Sequence, residues 1–219
     1  MLTILKHLLN RLSWGYSGDK YYGRLARKYE KRREKKKWWH QENKVVRDYL
    51  QALPDGITVV DVPFGTGRFV PYYLEKDMQV YGLDASPEML RAAGELLEKD
   101  FEKCETVVGD AAKLPYEDNF ADLVVCFRFL QSIIPFSTVK AVLKEFHRVT
   151  RSQALLELKV RHDNLKDAGP PKDDRSIRDT LKMDDIHRLL RDAGFEIEEV
   201  IPVSRRKTHV LAAFACRKK

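Results

Sequence analysis

Three aspartates and two glycines are the residues of this sequence whose types and spacing can do chemistry together. Asp61 ends the apolar run 57–60, and Gly65 and Gly67 flank Thr66 just after it. Asp84 ends a second run, 79–83, seventeen positions beyond Gly67, and Asp110 follows Gly109 after a third, 105–108. Glycine at such a turn lets the backbone bend tightly and approach a ligand with no Cβ in the way. An acidic side chain at the end of the second strand can accept hydrogen bonds from both hydroxyls of a ribose. The pattern reads as a βαβ unit built around a nucleotide-containing ligand.

Two ligand classes use that geometry, and the residues separate them. A dinucleotide fingerprint needs a third glycine three positions after Gly67, where this chain has Val70. Asp61 at the loop entrance repels a pyrophosphate but favours the ammonium of an amino-acid moiety, directly or through water. From 68 to about 76 the pattern turns helical, with Phe69, Val70, Tyr73 and Leu74 as its apolar stripe. The turn is thus expected to deliver a helix N-terminus, whose free N–H groups can hold a carboxylate or phosphate.

Asp-x-Pro-x-Gly-x-Gly at 61–67, followed by Gly-Leu-Asp-x-Ser at 82–86, resembles motifs I and II of class I S-adenosylmethionine-dependent methyltransferases. Pro63 stands where the commonest form of the loop has its first glycine; it fixes φ near −65° and has no N–H to donate. The resemblance continues through Gly109-Asp110-Ala111 and LPYEDNFADLVVC (114–126), and covers about residues 39–219. It implies an α/β fold with a Rossmann-like seven-stranded methyltransferase sheet, strand order 3-2-1-4-5-7-6, strand 7 antiparallel and helices on both faces. It also implies S-adenosyl-L-methionine as cofactor, bound by Asp61, Gly65, Thr66, Gly67, Asp84, Ala85, Asp110, Ala111 and Phe127. Within that set Gly65 and Gly67 meet the methionyl part, Asp61 its ammonium and Asp84 the ribose, while Asp110 and the Ala111 amide meet the adenine. Residues 127–131 are expected to face the transferable methyl, with Arg128 and Gln131 lining a substrate pocket where Arg128 can hold a carboxylate or phosphate bidentately.

The implied reaction is methyl transfer to oxygen or nitrogen of a small-molecule or lipid-linked substrate, without a metal and with no catalytic residue assigned. An RNA methyltransferase and a non-catalytic cofactor-binding partner subunit stay open as alternatives. Base methylation loses ground because 127–131 lacks an Asn/Asp-Pro-Pro-aromatic sequence and Cys126 has no flanking proline.

The elements that must position these residues are legible in the rest of the chain. At 219 residues the length suits one domain with appendages. Cys104, Cys126 and Cys216 are an odd, widely spaced set, as expected of reduced thiols in a cytoplasmic protein. No apolar run approaches a membrane span, and the first residues do not read as a secretory signal. A helix over 38–53 carries Val46, Tyr49, Leu50 and Leu53 on one face, and in the family this helix lies over the cofactor site. That makes Trp38, Trp39 and His40 lid candidates. Ser86 and Pro87 open a helix that buries Met89, Leu90, Ala93, Leu96 and Leu97. Glu145-x-x-Arg148 matches a structural ion pair of the family, and the charged stretch 161–180 is a second lid candidate.

Residues 1–37 are expected to form a basic amphipathic helical extension, with 38–219 as the methyltransferase domain. Leu2, Leu5, Leu8, Leu9 and Leu12 form a stripe, and a second helix is expected through RLARKYEKRREKKKWW. Residues 24–37 hold nine Lys or Arg and two Glu, a local charge of +7, equal to the net charge of the whole chain. That concentration makes the segment a docking surface for a polyanion: an anionic membrane, which would place the protein peripherally, or RNA, whose unpaired bases Tyr29, Trp38 and Trp39 can stack on.

Overall fold

The computed structural model describes residues 32–133, 135–162 and 181–219. The predicted leucine stripe, most of the basic segment and nearly all of the 161–180 lid candidate lie outside these residues. In chain order the elements are α1 (Lys37–Gln51), β1 (Thr58–Asp61), α2 (Val70–Leu74), β2 (Gln79–Asp84), α3 (Pro87–Leu97), β3 (Cys104–Val108), β4 (Ala121–Cys126), α4 (Phe136–Val149), β5 (Thr150–Arg161), α5 (Met183–Asp192), β6 (Phe195–Arg205) and β7 (His209–Lys218). Short 3-10 turns cover Glu98–Lys103 and Leu130–Ser132.

The seven strands form one sheet in the order β3-β2-β1-β4-β5-β7-β6. The first five run parallel to one another, and β7 is antiparallel to both β5 and β6. The expected architecture is therefore the observed one. Parallel strands covered on both faces need apolar residues at every position, and Val59 and Val60 illustrate this. Both are fully buried, yet Val59 packs with Val46, Leu50 and Leu90, while Val60 packs with Val142, Phe146 and Leu156. One face thus carries α1, α2 and α3, and the other carries α4 and α5.

Several boundaries differ from the sequence reading. β5 is the longest strand and begins at Thr150, four residues before the expected start, because its polar beginning pairs with β4 at Ala121 and Leu123. Leu96, expected on the buried face of α3, is 44% exposed. α2 has only five residues, so it offers a much weaker anion-binding terminus than the longer helix predicted. The predicted helix through RLARKYEKRREKKKWW is broken, with turns at Glu34–Lys36 and an extended Lys36 (φ −103°, ψ 131°) just ahead of α1. This break turns Arg33 inward. Its guanidinium sits 4.9 Å from the Trp38 ring, and its side chain is only 14% exposed.

Gly82 in β2 shows how the loop after β1 is seated. The Phe64 ring lies flat on this strand, and a Cβ at Gly82 would stand 2.2 Å from it. Phe64 also approaches Phe101 edge-on at 6.4 Å, so the loop is nailed to the sheet by one aromatic side chain. Gly82→Ala is expected to cost about 1 to 3 kcal/mol by overpacking. A lowered urea midpoint, restored by adding Phe64→Leu, is the expected result; an unchanged midpoint would contradict this packing.

Candidate active site

The carboxyl ends of β1, β2, β3 and β4 converge on one crevice edge, and the strand register fixes their order. Asp61 lies opposite Gly82 and Val125, and Asp84 lies opposite Val108. The loop after β1 passes a cis Val62–Pro63 peptide and then takes positive φ at Gly65 (+59°) and Gly67 (+69°). A Cβ at Gly65 would meet only the Met89 methyl at 3.6 Å, so the loop's outer side is open there. At Gly67 a Cβ would stand 2.5 Å from a Leu97 methyl and 3.1 Å from the Phe64 ring, so at φ +69° a side chain is both strained and crowded. The two glycines therefore serve different ends: Gly65 leaves approach room for a ligand, and Gly67 lets the loop lie against α3.

Asp84 is the knot that ties this loop to the second strand. One carboxylate oxygen accepts the Gly65 N–H at 2.8 Å, and the other accepts the Ser86 N–H at 2.9 Å. Burial nonetheless pushes Asp84 up to about 6, with the two amides opposing the rise. Ser86 caps α3 by accepting the Met89 N–H at 3.3 Å, as expected, and Ala85 is half-buried between them. Asp110 closes a turn by accepting the Ala112 N–H at 2.8 Å, with Ala111 buried beneath it.

Asp61 is more enclosed than a loop-entrance residue need be. It is 3% exposed, and its carboxylate accepts the Tyr73 hydroxyl at 3.2 Å. Burial raises it to about 8, partly offset by Tyr73 and Arg68 and reinforced by Asp84. Thr66 is also buried. Phe127, expected among the cofactor contacts, points its ring into the core, 5.2 Å from Phe69 and 5% exposed. The ring packs edge-on against Phe69 at the end of β4 and is about as buried as Asp61 and Thr66.

Arg128 and Gln131, predicted as substrate-pocket residues, flank the turn after β4. Gln131 is 3% exposed, and among the described residues its side-chain oxygen has no hydrogen-bond partner. Arg128 has φ +60°, unusual for a residue with a side chain, and its N–H donates to Glu157 Oε2 at 2.9 Å. Its guanidinium stacks on the Trp38 ring at 4.3 Å, which brings the first lid candidate to the site. His40 is exposed, and Trp39 meets it edge-on at 4.9 Å.

The sequence reading missed the centre of this region. Glu42 on α1 and Glu157 on β5 are both fully buried, and their carboxyl groups adjoin. Arg68 reaches Glu42 at 2.6 Å, Arg128 at 3.7 Å and Arg33 at 4.0 Å. Burial, and next the Glu42 charge, pushes Glu157 well above the usual carboxylate range, with Arg128 opposing the rise. A signal was available. Glu42 shares the helix stripe of Val46 and Leu50, and Glu157 interrupts the apolar run of β5, so both are charged residues written into buried positions.

The thiols and the ion pair behave as expected. Cys126 and Cys216 are buried and Cys104 half-buried, all three free. Burial raises Cys216 to about 12 and Cys104 to about 11, and Cys126 well above its ordinary value, so none is a ready nucleophile. Arg148 grips Glu145 through two bonds of 2.8 Å and also holds the Leu114 and Tyr116 carbonyls, a structural clamp on the segment before β4. Among the described residues no cluster of His, Cys, Asp or Glu has the makings of a metal site, and no helix is long and apolar enough to cross a membrane.

Residues 60–158 match a family model described as a methyltransferase domain. The match takes in somewhat under half of the chain and, together with the sheet order and the strand-end motifs, supports a class I S-adenosylmethionine-dependent methyltransferase domain with S-adenosyl-L-methionine as its cofactor. Among its relatives, a demethylmenaquinone methyltransferase of Thermotoga maritima is 33% identical over 123 residues, 55% of this chain and 48% of the relative. A malonyl-[acyl-carrier protein] O-methyltransferase of Hamiltonella defensa is 37% identical over 98 residues, 45% of this chain and 35% of the relative. The chain thus spans less than half the length of these two relatives. The crystal structure of magnesium protoporphyrin IX methyltransferase from Synechocystis, with bound S-adenosylhomocysteine, shares the fold at a TM-score of 0.70. The likeness covers 92% of this chain and 97% of that one at 16% identity.

Proposed function

We propose that this chain is an S-adenosylmethionine-dependent methyltransferase acting on oxygen or nitrogen of a small-molecule or lipid-linked substrate. The observation that carries the reading is the Asp84 knot. A carboxylate at the end of the second strand is aimed by two backbone amides, beside an open Gly65 and with no third glycine for a pyrophosphate. Val108, 47% exposed opposite Asp84, adds an apolar surface suited to the adenine, next to Asp110 and Ala111. Asp61 answers the ammonium, directly or through water.

The bound cofactor supplies the electrophilic methyl group, and the chain's own part is to align an acceptor with it, worth about 7 to 11 kcal/mol. Arg128 and Gln131 are the acceptor-side residues of this reading. The exposed Arg32, Lys35, Lys36 and Lys37 fit a polyanion-docking role for the N-terminal segment. Purified chain incubated with methyl-labelled cofactor and separate metabolite, lipid and RNA fractions tests the reading. Label in a small-molecule or lipid product supports it. Label in RNA alone favours the RNA alternative, and no label despite cofactor binding favours a non-catalytic subunit.

The carboxylates give the reading a pH signature. The neutral form of Asp61 favours the folded domain. That contribution is complete below the ordinary carboxyl value of 3.8 and lost as pH rises through about 8. A cofactor ammonium favours the ionised form, so binding releases a proton from Asp61 below pH 8, and affinity is expected to rise with pH from about 6 to 8. Calorimetry in buffers of different ionisation heat measures that proton. Asp61→Asn should flatten the profile, and a wild-type profile already flat would contradict the assignment.

A further inference from the structure

We infer that the methyl acceptor carries an anionic group, a carboxylate or a phosphate, received by Arg128 against Trp38. The inference rests on the methyltransferase reading, and three observations of the chain support it independently.

The first is backbone strain in a telling place. A residue with a side chain at φ +60° is costly, and such conformations persist where the surroundings hold them and function uses them. Here the buried Glu157 accepts the Arg128 N–H and fixes the turn, and the turn follows the central strand next to the cofactor loop. The second is the state of the guanidinium. It stacks on the Trp38 ring, is loosely paired to Glu42 at 3.7 Å and keeps a third of its side-chain surface exposed. A planar fork already ordered on one face and open to solvent needs little rearrangement to grip an anion bidentately.

The third is charge balance. Among the described residues three guanidinium groups, from Arg33, Arg68 and Arg128, lie within 4.0 Å of Glu42. Arg68 makes the close pair at 2.6 Å, and Glu157 is the one further carboxyl group adjoining Glu42 among the described residues. Three guanidinium groups thus stand beside two carboxyl groups, and an anion entering beside Arg128 meets an arginine-rich surface. An amine acceptor would meet the same surface as repulsion.

The test uses full-length protein saturated with S-adenosylhomocysteine and titrated with benzoate, phenyl phosphate and neutral benzamide at matched ionic strength. At least one anion is expected to bind roughly tenfold tighter than benzamide, the scale of one charge-assisted contact. Benzoate against phenyl phosphate tells which anion the site prefers. Arg128→Gln should abolish the preference, Arg128→Lys should retain part of it, and Arg151→Gln at the far end of the sheet should leave it intact. No preference in wild type, or a full preference in Arg128→Gln, overturns the inference. Absence of S-adenosylhomocysteine binding is a failure of the cofactor reading instead, and the same titrations on the free protein still decide the role of Arg128.

Discussion

Asp84→Ala is expected to weaken S-adenosyl-L-methionine binding by tenfold to a hundredfold, from the loss of about 1.5 to 3 kcal/mol of charge-assisted hydrogen bonding. The structure adds a second consequence. Because both carboxylate oxygens hold amides of the ligand loops, the substitution also frees Gly65 and Ser86, and the free protein should melt earlier. Asp84→Asn separates the two effects. It keeps one amide acceptor while removing the charge, so its melting temperature should lie between those of wild type and Asp84→Ala. Affinity unchanged in Asp84→Ala would remove the ribose role altogether.

Glu42→Ala is expected to be the most damaging single change to stability, at about 3 to 5 kcal/mol. The loss comes less from the missing attraction than from what stays behind. Arg68, with 7% of its side chain exposed, would keep a charge in the interior with its closest partner removed. In a chain of this length that corresponds to a fall of about 6 to 20 °C in Tm. Glu42→Gln keeps the shape and an acceptor, and should lose less. The pair Glu42→Leu with Arg68→Met replaces the ions by apolar side chains of similar size, and should recover most of the stability. A double variant as unstable as Glu42→Ala would show that the cluster is held by something other than its charges.

The two sets of residues differed in how far the sequence revealed them. Asp61 and Asp84 were legible because parallel strands buried on both faces read as apolar runs that a polar residue ends, and Asp110 because Gly109-Asp110 closes the edge strand β3 with a turn signal. Gly65 and Gly67 were legible because only glycine takes positive φ without penalty, although that Gly67 is needed for Leu97, and Gly65 for open space, required coordinates. Glu42 and Glu157 were not recognised. Their burial depends on Arg33, Arg68 and Arg128, which come from three other parts of the chain, and a pattern along one helix or strand cannot show partners brought in by the fold. The broken helix before α1 has the same origin. Local propensity favours a continuous basic helix, but stacking Arg33 on Trp38 and turning it toward Glu42 prevails over the helix at residues 34–36.

The central claim, that the strand-end crevice holds S-adenosyl-L-methionine, is tested most directly by titration calorimetry of the purified chain with that cofactor and, separately, with NADH. The account predicts saturable one-to-one binding of S-adenosyl-L-methionine, weakened in Asp84→Ala, and no comparable heat from NADH. Preferential binding of NADH would contradict it.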